Sequence, residues 1–362
     1  MEINNIIIYT MVLFMIIGAI DRIFGNKFGY GKKFEEGILA IGPLALSMIG
    51  IICLSPIIAN FLKPLITPLY KIIDADPALF AGTILANDMG GYSLGKEIAL
   101  SIEGEILGGL ILSSTLGATL SFSIPVSMGM VKKSDEKYLS LGILAGILTI
   151  PFGCFVGGLV ANFNIKFLII NLIPTFIITI ILGILLFKFP SKVAKVFSYF
   201  GKFMTILITI GFVLESINIL TGMTLISNLF PALEAIKTVC KIGMVLSGAF
   251  PLTYFITKFF NKPLQKVGKL IGINENSVVG FIACLAHNIP MLSLVEKMDE
   301  KGKIMNIAFS VSGAFVFGSH LGFTASIYKN MVFPVIVAKL FGGITAMFVG
   351  NLLYNLNKNK IK

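Results

Sequence analysis

Long apolar blocks joined by short polar segments make up nearly the whole of this chain. Blocks at about 4–21, 36–60, 104–131, 138–162, 167–188, 199–222, 235–258, 304–328 and 331–355 are each long enough to carry a helix across a bilayer. Two stretches resist that simple reading. One is 76–102, around LANDMGGYSL at 85–94. The other is 275–300, around LAHNIPMLSL at 285–294.

Composition agrees with the pattern. Of 362 residues, 56% are hydrophobic and 13% charged, too few polar residues to cover a water-facing surface. No polar segment is large enough to fold alone. The class is an all-α polytopic membrane protein with about nine crossing helices. The net charge of +11 fits lysines in cytoplasmic loops. No basic patch is interleaved with aromatics, so nucleic acid is not a partner. Cys53, Cys154, Cys240 and Cys284 lie far apart, with no metal or disulfide spacing. No Walker A motif is present, and neither cofactor nor metal is expected. The start, MEINNIII, lacks a basic n-region and a small-residue cleavage site, so the first helix is expected to be retained.

The two odd stretches resemble each other. Leu85 and Ala86 match Leu285 and Ala286, Ser93 and Leu94 match Ser293 and Leu294, and Asp88 falls opposite Asn288. Each follows a Lys-Pro-Leu segment, at 63–65 and 262–264, that reads as a short amphipathic helix. The charge distribution decides whether these stretches span or return. If both are re-entrant hairpins and the N-terminus is outside, only Lys63, Lys71, Lys96, Lys166, Lys237, Lys241, Lys329 and Lys339 fall outside. The rest, including Lys358, Lys360 and Lys362, fall inside. If both span, the basic residues divide almost evenly. The hairpin reading puts five crossings between the copies and so inverts them. It predicts one transmembrane transporter domain. Repeat one covers about 36–162, connecting helices 163–234 and repeat two about 235–355, with the substrate near the midplane where broken helices meet. Gly90, Gly91 and Pro290 suit hairpin tips.

Asp88 is then a carboxylate at membrane depth, where ionisable residues mark function or a structural ion pair. Asn87 beside it and His287 and Asn288 on the other tip supply polar company for a small cation. Ser319 and His320, between glycines at 318 and 322, form a second cluster. Tyr92 is a candidate for cation–π contact. Glu35 and Glu36 read as first-turn acids that offset a helix dipole, with Glu36 kept as a candidate substrate contact. Glu215 is either interfacial or a second intramembrane acid, and Asp21-Arg22 reads as an interfacial pair. Glu97, Glu103 and Glu105 fall on the predicted outer side, where they attract cations weakly.

At FEEG 34–37, LANDMGG 85–91, FSIPVSMG 122–129, IPFGCFVGGL 150–159, LAHNIPM 285–291, KMDEKGK 297–303 and GSHLGF 318–323 the chain resembles the ethanolamine permeases of the ethanolamine-utilisation pathway, the EutH family. The likeness runs along nearly the whole chain. In the last motif Ser319 stands where the family carries an acidic residue. The resemblance implies a secondary transporter or facilitator that imports ethanolamine across the bacterial cytoplasmic membrane. Its surroundings would be membrane lipid, and the sequence leaves both a monomer and a homo-oligomer open. The physical reading assigns Asp88 to the ammonium and Asn87, Asn288, Ser319 or His320 to the hydroxyl. The alternative is a cation-coupled transporter of another small polar amine. A membrane-embedded enzyme lacks any HExxH or paired-carboxylate spacing.

Overall fold

The computed structural model describes residues 3–361, which form helices and, among the described residues, no strand. The N-terminal helix α1 (Ile3–Ile23) is followed by α2 (Tyr30–Leu39) and α3 (Ile41–Lys71). The turn after α1 is held by Asp21, whose carboxylate accepts from the N–H of Phe28 and of Gly31, each at 2.9 Å. Arg22 pairs with Glu35 at 2.6 Å. Asp21 and Arg22 are therefore not partners of each other. The helix before Glu35 and Glu36 also starts earlier than expected, at Tyr30. These acids sit past its first turn and answer Arg22 and Lys33 rather than the helix dipole.

The segment 76–102 folds back on itself. Helix α4 (Ala78–Ile84) runs in and α5 (Gly91–Ile98) runs out. Their open ends are tied by Asp76. Its Oδ2 accepts from the N–H of Leu100 and of Ser101, each at 3.0 Å, and from the Ser101 hydroxyl at 2.9 Å. The chain thus leaves at the level at which it entered. At the closed end Leu85–Ala86 is extended, Asn87–Met89 forms one 3₁₀ turn, and Gly90 takes φ +94°. A side chain there would be strained, and a Cβ would meet Ile51 at 2.4 Å.

Next comes α6 (Ile102–Met130), almost entirely buried and π-helical over Leu107–Gly117 and Thr119–Ser123. Helices α7 (Glu136–Val160), α8 (Ile165–Lys188) and α9 (Pro190–Thr221) follow. The last two expose rows of large apolar side chains such as Ile169, Ile177 and Ile184 on α8 and Phe203, Ile206 and Ile210 on α9, the mark of a lipid-facing surface.

Helix α10 (Ala232–Ile271) leads to the second fold-back, α11 (Glu275–Ala286) and α12 (Asn288–Leu294). Its open end uses the same chemistry from the opposite arm of the hairpin. Asp299, beyond the exit, accepts from the Asn274 N–H at 2.8 Å and from the Ser277 hydroxyl at 2.9 Å. The closed end is one extended residue, His287. Pro290 sits in the first turn of α12, where a missing N–H leaves no bond unmade.

The expected continuous helix at 304–328 is split. Helix α13 (Glu300–Gly313) and helix α14 (Ser319–Ile327) are separated by an unwound stretch with Phe315 at φ +62°. Backbone freed at this depth needs partners. The Phe315 and Phe317 N–H groups donate to the carbonyls of Cys284 and Leu285 at 3.2 and 2.8 Å. A Cβ on Gly318 would stand 2.1 Å from the Ala286 carbonyl, so only glycine allows that approach. The final helix is α15 (Val332–Ile361).

Among the described residues, eight helices are long and apolar enough to span, matching the other expected crossings. Two expectations change. The Lys-Pro-Leu segments are not separate amphipathic helices but the far ends of α3 and α10, which run on through Pro64, Pro68 and Pro263. Lys339 is not an outer-loop lysine. It lies inside α15 and is 1% exposed. Met1, Glu2 and Lys362 lie outside the described residues, as do the side chains of Lys358 and Lys360.

Candidate functional site

The closed end of the first fold-back, the closed end of the second and the break before α14 meet around one cavity of about 410 Å³. Asp88 and Met89 enter from the first, Ala286 and His287 from the second, and Phe315, Ser319 and His320 from the break. Ser47 on α3, Phe122 on α6 and Phe250 on α10 complete the wall. Asp88 is the only carboxylate among the lining residues. The wall is otherwise mainly apolar, as expected of a site for a small ligand.

Asp88 owes its position to the short 3₁₀ turn, which presents its side chain into the cavity while its own N–H bonds Asn87 Oδ1 at 3.0 Å. Ser319, the first residue of α14, directs its side chain at the Asp88 carboxylate. His320 Nε2 is 3.7 Å from Asp88 Oδ1, beyond hydrogen-bond reach. On the other side of the ring, His320 Nδ1 lies 3.1 Å from Lys339 Nζ, which also donates to the Ser114 carbonyl in the π-helical part of α6. A chain of polar groups therefore runs from the cavity wall into the interior: Asp88, His320, Lys339. Helices α4 and α11 both end at the cavity, and the partial negative charge of a helix C-terminus favours a cation there.

Of the residues singled out in the sequence, Asp88, Ser319 and His320 come together. Asn87 and Asn288 are buried behind the wall. The Asn87 Nδ2 and Asn288 Oδ1 atoms have no hydrogen-bond partner among the described residues, and Asn288 Nδ2 donates to the Ser123 hydroxyl at 3.1 Å. Glu36 pairs with Lys33 at 2.6 Å and lines a neighbouring cavity of about 500 Å³. That cavity shares Phe250, Ala286 and His287 with the first, and Pro290 lies on its wall.

Tyr92 is turned away from Asp88. It donates to Glu105 Oε1 at 2.6 Å and lines a third cavity of about 440 Å³ with Lys96, Glu97 and Tyr328. Glu105 is buried, held by Tyr92 and, at 3.2 Å, by Tyr328. Glu215 is buried as well and accepts from Asn218 at 3.0 Å. Lys339, buried behind His320 and off the cavity wall, is the interior charge that the sequence reading missed. Its signal was a lysine in the middle of the apolar run VFPVIVAKLFGG, where an ionisable residue is a functional candidate by default.

Broken helices converging on a buried carboxylate inside a shell of lipid-facing helices define a multi-pass membrane protein with an internal polar site. A family model for "Ethanolamine utilisation protein, EutH" matches residues 3–353. The chain belongs to the EutH family. It is 51% identical, over 100% of its own length and 98% of the relative's, to a Listeria monocytogenes protein named "Probable ethanolamine permease EutH". It is 42% identical to the Salmonella typhimurium protein of the same name, over 98% of this chain and 96% of that one. A Bacillus subtilis relative, "Uncharacterized protein YxeR", is 41% identical over 96% of this chain and 94% of its own. These names put the chain among permeases and not among enzymes. No solved structure matches it.

Proposed function

We propose that this protein imports ethanolamine across the bacterial cytoplasmic membrane, with Asp88 as the site for the ammonium. The observation that carries the reading is Asp88 itself, a lone carboxylate aimed into a mainly apolar cavity where three interrupted segments meet. Ethanolamine is mostly an ammonium near neutral pH and carries one hydroxyl. The carboxylate compensates the charge, and Ser319 and His320 are placed to orient the hydroxyl. Relatives named as ethanolamine permeases over nearly their full length support the substrate.

The same reading makes 36–162 and 235–355 inverted repeats, each with a re-entrant hairpin. The N-terminus is outside and the C-terminus inside. The two tied open ends, Asp76 with Ser101 and Ser277 with Asp299, support the repeat. Cavities on either flank support alternating access. Toward the lysine-rich side the site adjoins the Lys33–Glu36 cavity. On the other flank Tyr92 and Phe323, packed edge to face at 5.6 Å, line the cavity of about 440 Å³. Exchange of the open side requires one hairpin-bearing unit to move against the rest.

The test is uptake of labelled ethanolamine into proteoliposomes, with counterflow and with competition by choline, other amines and sodium. Saturable uptake that accelerates against a preloaded ethanolamine pool supports a carrier. Uptake that neither saturates nor shows counterflow overturns it. Competition by another amine in preference to ethanolamine moves the substrate to the cation-coupled alternative.

A further inference from the structure

Lys339 has no role in the binding chemistry described above, yet its burial is nearly complete. Its Nζ donates to the Ser114 carbonyl and lies 3.1 Å from His320 Nδ1. Among the described residues it makes no ion pair within 4.0 Å. The charged group it faces is Asp88, across the His320 ring. The other titratable groups facing it are the thiols of Cys154 on α7 and Cys284 on α11, while His287 faces the His320 ring. None of these is a carboxylate.

A buried ammonium persists only against a compensating charge. In the empty site Asp88 and Lys339 balance each other across the imidazole. A substrate ammonium on Asp88 brings a second positive charge to a site that holds one negative charge. We infer that Lys339 is an exchangeable internal cation: as a cationic amine binds Asp88, Lys339 gives up a proton through His320, so the carrier trades an ammonium for a proton and moves no net charge. This inference rests on Asp88 being the ammonium site.

The balance is simple. A Lys339 Nζ–H bond breaks and the proton passes to His320 Nδ1. The proton on His320 Nε2 leaves to water in the cavity that this nitrogen faces. His320 has changed tautomer, Lys339 is a neutral amine accepting from Nδ1–H, and the Asp88 carboxylate is unchanged. Release of the amine on the other side reverses each step with a proton taken up there. Ammonium travels one way and a proton the other, which sums to the movement of neutral amine.

The experiment uses full-length wild type, Lys339→Gln and Lys339→Arg in proteoliposomes, with protein-free vesicles as blank. Three readings are taken: ethanolamine counterflow, accumulation with and without an imposed inside-negative potential, and internal pH from a trapped dye. An electrogenic carrier of one charge would raise its accumulation by up to ~50-fold for a potential of about 100 mV. Wild type is expected to show counterflow, accumulation indifferent to the potential and proton movement opposite to the amine. Lys339→Gln is expected to keep counterflow, lose proton movement and follow the potential. Lys339→Arg, whose guanidinium cannot shed its proton, is expected to lose uptake.

Wild-type accumulation that follows the potential overturns the inference while counterflow leaves the ethanolamine reading standing, and this needs no variant to fold. A Gln variant that transports yet stays indifferent to the potential overturns it too. Absence of counterflow in wild type removes the ethanolamine reading and this inference with it.

Discussion

The two fold-backs share an open end and differ at the closed end. Each open end is tied by one aspartate that gathers backbone N–H and a serine hydroxyl, Asp76 in the first and Asp299 in the second. At the closed end the first has a 3₁₀ turn and a left-handed glycine, which together push Asp88 into the cavity. The second turns through His287 alone. That imidazole accepts from the N–H of Ile289 at 3.1 Å and packs against Phe315 with ring centroids 4.7 Å apart. One scaffold thus carries a charged tip and an imidazole tip committed to its own turn. The lesson is that the hairpin supplies depth and a break in the helix, and the residue at the break decides whether that depth is used for binding.

The largest expected effect separates the tips. Asp88→Asn removes the carboxylate from a buried ammonium pair, a change that costs roughly 2–5 kcal/mol, or about 30-fold and upward in affinity. Uptake should collapse, whereas His287→Ala should still transport. Equal loss in both variants would erase the distinction between them.

A smaller effect tests the open ends. Asp76→Ala and Asp299→Ala each orphan buried or part-buried donors. Each should destabilise the protein by about 1–3 kcal/mol, read as a lower melting temperature in detergent. If only one does so, the two ends are not equivalent. The smallest effect concerns Tyr92. Tyr92→Phe removes one hydrogen bond to Glu105 and should cost about 1 kcal/mol of stability while ethanolamine binding is retained. Loss of binding would return Tyr92 to the substrate site.

Much of this was legible in the sequence, for physical reasons. Apolar length identifies crossings because the bilayer core has a fixed thickness. The break at LANDMGG was visible because aspartate, amide and paired glycine cannot sit in a lipid-facing helix without purpose. What was not legible depends on direction and register. Tyr92 is four residues from Asp88 but lies on α5, past the Gly90 turn, so it faces the opposite cavity. Glu36 read as a first-turn acid because its partner Lys33 lies in a helix turn that the pattern had left as a loop. Lys339 was counted with the loop lysines because charge at a membrane usually sits at helix ends. Its pairing with His320 joins α15 to α14, and spacing along the chain does not reveal which faces meet. The hydrogen bonds of Tyr92 and Tyr328 to the buried Glu105 were hidden for the same reason.

The central claim is that Asp88 holds a cationic amine. The most direct measurement is equilibrium binding of labelled ethanolamine to purified wild type and Asp88→Asn, with both shown to be folded by their melting transitions. Saturable binding by wild type, weakened by about 30-fold or more in the variant, is the predicted result. Wild-type affinity in a folded Asp88→Asn protein would contradict the account and send the search for the ammonium site to another cavity.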